Sequence, residues 1–172
     1  MRKVSLARQR HASNISGVMQ SQHILLVEDN AIDAILFQKA LRIARPEATV
    51  DVVEQVSAAF FYLSGVAPYS ERAAHPFPYL VVIDLNLPNV PGMDLIKWIR
   101  EQPAMDHLLI LVLSASDKIH DTLGSYKLGA NNFVIKQFKV GDLAESLRDL
   151  HETWRARKLY PREPSEETSA TF

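Results

Sequence analysis

The sequence contains no cysteine. That excludes disulfides, thiolate metal sites and cysteine nucleophiles, so oxygen and nitrogen groups must carry any chemistry. No apolar run approaches the ~18 residues that a membrane-spanning helix needs. The start of the chain has no continuous apolar stretch of the secretory type. The expectation is a cytoplasmic protein with no membrane partner. A surplus of one charge is also missing: the formal net charge is -1, which favours no direct contact with nucleic acid. Acids are absent through Gln22, a stretch that carries Arg2, Lys3, Arg8 and Arg10. Basic segments of this kind also serve as organelle targeting peptides, but residues 1–22 read first as a flexible arm. Past Trp154 the chain turns polar, with Pro161, Pro164, Glu166 and Glu167, and residues 158–172 read as a tail. The six histidines show no ligand spacing and read as structural or surface groups.

What remains, residues 23–157, alternates apolar runs with helical patterns. Strand-like runs fall at 23–27, 49–53, 79–83, 108–113 and 132–135. Helical stretches fall at 31–44, 57–63, 92–101, 117–128 and from 140 past Trp154. Asn30 is a good N-cap, and Pro46, Gly65 and Gly129 mark ends. Leu143, Leu147, Leu150 and Trp154 form a stripe on the last helix, more often core than interface. Five β-α pairs with continuous apolar strands predict an α/β fold. The expected architecture is a doubly wound, five-stranded parallel sheet with strand order 2-1-3-4-5, the flavodoxin-like arrangement.

In such a sheet, ligands bind outside the carboxyl ends of the strands. There the first strand presents Glu28 and Asp29, the third Asp84, the fourth Ser114 and the fifth Lys136. Carboxylates gathered at one edge repel unless a cation sits among them. Mg²⁺ suits them, because it takes oxygen ligands and keeps several waters. A bound cation draws in phosphate. Lys136 can meet one phosphate oxygen as a point charge, and Ser114 can donate to another. A carboxylate left over can act as nucleophile, giving an aspartyl phosphate. The set therefore reads as phosphoryl transfer to an acid by positioning and charge neutralisation. Each residue has a plainer reading too. Ser114 could be a turn residue, Phe133 could be core, and Glu28-Asp29 could merely favour a helix N-terminus.

Taken in order, Ile24-Leu25-Leu26-Val27-Glu28-Asp29-Asn30, Asp84-Leu85-Asn86-Leu87-Pro88 with Gly92, Leu113-Ser114-Ala115 and Phe133-Val134-Ile135-Lys136 resemble the receiver domain of two-component response regulators. The likeness covers residues 23–157. The loop before Tyr79 and the long last helix resemble the stand-alone regulators that serve bacterial phytochromes. The resemblance implies that Asp84 is the phosphoacceptor and that Glu28 and Asp29 hold Mg²⁺, Asp29 more directly. It implies that the backbone carbonyl of Asn86 completes the metal shell while its side chain tunes hydrolysis. Lys136 matches the phosphate-binding lysine, Ser114 the switch hydroxyl with small Ala115 beside it, and Phe133 the switch aromatic. The implied partners are a sensor histidine kinase, of phytochrome type, or a phosphotransfer protein, together with a downstream protein target. A homodimer through the fourth and fifth helices is also implied, with Tyr126, Phe138 and Trp154 as contacts.

The resemblance makes the chain a signalling phosphoacceptor, not an enzyme acting on a metabolite. Three competitors exist. A haloacid-dehalogenase-type phosphatase places Asp-x-Asp after its first strand, where this chain has Glu28-Asp29-Asn30. A flavodoxin-like carrier needs amides and hydroxyls where this first loop is acidic. A pseudo-receiver that only binds partners draws weight from one departure: Gln137 stands where the family usually has a proline joined by a cis peptide. Without proline, cis costs about 2.5–4 kcal/mol, so the Lys136-Gln137 peptide is expected to be trans.

Overall fold

The computed structural model describes residues 22–115, 119–136 and 139–159, with the side chains of 119, 120, 154 and 157–159 excepted. The arm, the tail and the Lys136-Gln137 peptide lie outside the described residues, as do Phe138 and the Trp154 side chain.

Five strands, β1 (His23–Val27), β2 (Thr49–Val53), β3 (Leu80–Asp84), β4 (Leu109–Ser114) and β5 (Asn132–Ile135), form one sheet of order β2-β1-β3-β4-β5. Every pairing is parallel. Five helices connect and follow them: α1 (Ala31–Ala44), α2 (Val56–Ser64), α3 (Gly92–Arg100), α4 (Ile119–Lys127) and α5 (Val140–Leu159). No helix among the described residues is long and apolar enough to cross a membrane.

The continuous apolar strands are explained by burial on both faces. Ile24, Leu26, Leu80, Val82, Leu109 and Leu111 pack under α1 and α5 with Phe37, Leu143, Leu147 and Leu150. Their alternates Leu25, Val27, Val81, Ile83, Ile110 and Val112 pack with Tyr62, Leu95, Ile96 and Ile99 on the other side. The period of two along a strand sorts these residues, since successive side chains point to opposite faces. Leu143, Leu147 and Leu150 are core, as their stripe predicts.

Local chemistry sets the boundaries. The Asn30 side chain accepts from the Ile32 and Asp33 amides at 2.9 and 3.3 Å and starts α1. Gly65 closes α2 at φ 68°, a left-handed conformation that suits glycine. The long loop after α2 is held by a polar network that the sequence did not reveal. Tyr62 Oη lies 2.8 Å from Asp51 Oδ2, to which it donates, and 2.8 Å from His23 Nε2. His75 Nδ1 meets the same Asp51 oxygen at 3.0 Å. Arg72 donates to the Leu63 and His75 carbonyls at 3.0 and 3.3 Å. The histidines here are structural, as read from their spacing.

The expected boundaries shift slightly. Asp84 and Ser114 are the last residues of their strands, and α4 is described from Ile119.

Candidate functional site

The carboxyl ends of β1, β3, β4 and β5 meet because the parallel register brings them level. Val27 pairs with Ile83, Asp84 with Leu113, and Ser114 with Ile135. Glu28, Asp84, Ser114 and Lys136 therefore stand at the same edge, each at or one residue past a strand end. Two backbone bonds extend the ladder there: the Glu28 amide to the Val53 carbonyl at 2.9 Å, and the Lys136 amide to the Ser114 carbonyl at 2.8 Å.

Asp84 is buried, and both of its oxygens are held. Oδ1 accepts from the Asn86 amide at 2.9 Å, and Oδ2 accepts from Lys136 Nζ at 2.7 Å. Gly92 fixes what lies behind it. A β-carbon at that position would stand 2.3 Å from the Asp84 carbonyl oxygen, so α3 can begin this close only without a side chain.

Carboxylate oxygens of Glu28, Asp29 and Asp84 all lie within 4.8 Å of one another. Glu28 and Asp84 are buried and Asp29 is exposed. Glu28 Oε1 accepts from the Asn30 amide at 3.1 Å. Glu28 Oε2 is buried and lacks a directed hydrogen bond, although Lys136 Nζ stands 2.7 Å away as an ion pair. Burial pushes the Glu28 carboxyl above its ordinary pKa, and Lys136 offsets this only in part. The donor set fits a hard divalent cation: three carboxylates converge, and they outnumber the one ammonium that reaches Glu28 and Asp84.

Lys136 is the local counterion. Burial acts to lower the pKa of its ammonium, but the facing carboxylates of Asp33, Asp84 and Glu28 outweigh it and hold the group above its usual value. Asp33 was not singled out from the sequence, yet its Oδ2 lies 2.8 Å from Lys136 Nζ. The available signal was its place three residues after the N-cap, in the turn nearest the strand edge. Three carboxylates, of Glu28, Asp33 and Asp84, thus contact one ammonium, with Asp29 beside Glu28 and Asp84, which leaves an excess of negative charge.

The remaining expected residues sit as follows. Ser114 is fully buried. The Asn86 side chain is exposed, and so is Ala115. Phe133 is half-buried against the core on the α2–α3 side, so it touches the core as its plainer reading required. Tyr126 is exposed on α4.

A family model described as the response regulator receiver domain matches residues 24–148. The response regulator Rcp1 of Synechocystis is 28% identical over 131 residues, which cover 76% of this chain and 87% of Rcp1. The structure of the Mn²⁺-bound form of Rcp1 is similar at a TM-score of 0.65 and 28% identity, over 77% of this chain and 93% of that one. The phosphorylated cyanobacterial phytochrome response regulator RcpA is similar at a TM-score of 0.67 and 30% identity, over 78% and 94%. With the match spanning all five strands, the chain belongs to the response regulator receiver domain family of two-component signalling.

Proposed function

We propose that Asp84 accepts a phosphoryl group from a phosphohistidine of a sensor kinase or phosphotransfer protein, and that this switches contacts with a downstream protein. The observation that carries the reading is the buried Asp84 carboxylate, held 2.7 Å from Lys136 Nζ beside Glu28 and Asp29. An oxygen of Asp84 forms the new O–P bond as the donor's P–N bond breaks. The P–N electron pair leaves with the imidazole nitrogen, which takes up a proton. Lys136 neutralises charge on the phosphoryl oxygens, and the Ser114 hydroxyl donates to one of them. Water later cleaves the O–P bond, returning the carboxylate and free phosphate; no external metabolite is turned over.

Glu28, Asp29, Asp84 and the Asn86 carbonyl would hold one Mg²⁺, which supplies further charge neutralisation when bound. The exposed Asn86 side chain tunes access of water. Phe133 carries the change away from the site by reorienting. The likeness to phytochrome regulators supports a phytochrome-type kinase as donor. A second copy would pair through α4 and α5, where Tyr126 is exposed on α4.

Intact-mass analysis after incubation with acetyl phosphate and Mg²⁺ tests this. The unaltered protein is expected to gain one phosphoryl group, and Asp84→Asn none. Label on another residue with Asp84 intact refutes the assignment. Asp29→Asn is expected to lose most of the thermal stabilisation that Mg²⁺ gives by binding the native state.

A further inference from the structure

We propose that Asp33 is a positioning residue that keeps the Lys136 ammonium aimed at the phosphoryl site, an inference that rests on Asp84 being the phosphoacceptor. Lys136 Nζ makes two directed bonds, to Asp84 Oδ2 at 2.7 Å and to Asp33 Oδ2 at 2.8 Å. Its third neighbour, Glu28 Oε2, is an ion pair at 2.7 Å without a directed bond. Two of these three carboxylates belong to the set that converges for a cation, and Asp33 does not.

The difference matters once the site is loaded. An ammonium has three donors and no preferred axis, on a flexible four-carbon stem. When Glu28 faces a cation and Asp84 carries the phosphoryl group, both of those contacts must change. Asp33 alone keeps its place. It holds one ammonium proton while the other two turn to phosphoryl oxygens.

The fold fixes Asp33 for this task. Asn30 caps α1 and bonds the Asp33 amide at 3.3 Å, so the carboxylate stands in the first turn, at the strand edge. Lys136 is anchored at its other end by its amide on the Ser114 carbonyl at 2.8 Å. No proline ring follows Lys136 to stiffen the loop, because the next residue is Gln137. The lysine is therefore constrained at its head group by Asp33.

The test uses the full chain at saturating Mg²⁺. First, the ammonium protons of Lys136 are followed by NMR. The unaltered protein is expected to protect them from exchange with water, Asp33→Asn to lose that protection, and Asp33→Glu to regain part of it. Second, phosphoryl uptake at Asp84 from acetyl phosphate is timed. Asp33→Asn is expected to slow uptake about tenfold, as loss of a hydrogen bond to a charged group predicts, with Mg²⁺ affinity unchanged within about twofold. In a Lys136→Met background the same substitution is expected to have no effect, since the tethered group is gone. Unchanged protection in Asp33→Asn, or an equal slowing with and without the lysine, overturns the proposal. Failure of the unaltered protein to take up phosphoryl at Asp84 while protection still depends on Asp33 overturns the underlying function and, with it, the positioning role.

Discussion

Replacing Lys136 with methionine removes the only cation bonded to Glu28 and Asp84 among the described residues while keeping an apolar stem. The size of the effect follows from burial. Glu28 is 2% exposed and Asp84 3%, and each has an oxygen 2.7 Å from Lys136 Nζ. Removing one partner of a buried ion pair costs about 3–5 kcal/mol, because the other charge is left uncompensated. The contact with Asp33, whose side chain is 30% exposed, adds less to folding stability than the two buried ones because solvent screens it. Proton uptake by Glu28, already favoured by burial, caps the loss. The expected destabilisation is therefore about 3 kcal/mol near neutral pH in the presence of a chelator. For a domain of this size that is a fall in Tm of roughly 10 °C. The deficit should shrink as pH falls through the raised Glu28 value, because that carboxyl binds a proton more readily folded than unfolded. Mg²⁺ should then stabilise the variant more than the unaltered protein, because in the latter the ion must displace the ammonium from Glu28 and Asp84. Urea unfolding with chelator and across a Mg²⁺ titration measures both quantities. Equal stability in chelator, or equal Mg²⁺ increments in the two proteins, would refute the view of Lys136 as an internal counterion.

Glu28→Gln should raise stability in chelator at neutral pH and abolish the response to Mg²⁺. The folded carboxyl titrates above its ordinary value of 4.5, so its stabilising protonated form is present below about 4.5 and is lost as pH rises through the raised value; urea midpoints taken on both sides of that window should show a gain only on the alkaline side. Gly92→Ala should cost about 3 kcal/mol, because its β-carbon would stand 2.3 Å from the Asp84 carbonyl oxygen and the backbone must move; a wild-type urea midpoint would show that α3 retreats freely. Tyr62→Phe should cost about 1–3 kcal/mol by stranding His23 and Asp51, and should speed proteolytic cleavage within residues 65–79; unchanged cleavage would show that the network does not hold the loop.

The strands were legible because each is an uninterrupted apolar run, and only burial on both faces explains such a run. Their order followed from the crossover rule and not from any single residue. Glu28, Asp84, Ser114 and Lys136 were legible because each closes or follows a strand, and the parallel register carries strand ends to one edge. Asp33 was missed for the opposite reason. Within its helix it looks like an ordinary acid in a first turn, where acids are favoured anyway, and its partner lies more than a hundred residues further on. The network joining His23, Asp51, Tyr62 and His75 was hidden in the same way, since it joins two strands, a helix and a loop that no local pattern relates. The burial of Ser114 could be inferred from its strand, but an apolar residue in a strand suits core packing as well as a switch role, so the pattern alone did not separate the two for Phe133.

The strand order also sets the sequence in which the site can be built during synthesis. β1 lies between β2 and β3, so a chain that has emerged only through Asp84 already contains the sequence of three neighbouring strands. β4 and β5 then add one after the other at the β3 edge. Glu28, Asp29 and Asp84 thus all belong to the first-made part of the sheet, while their counterion follows the last strand. Synthesis proceeds at roughly 5–20 residues per second, so the acids exist for several seconds before the lysine is made. The lysine that neutralises the acidic edge is thus the last part of the site to be made, and the site is complete only when β5 has joined the sheet.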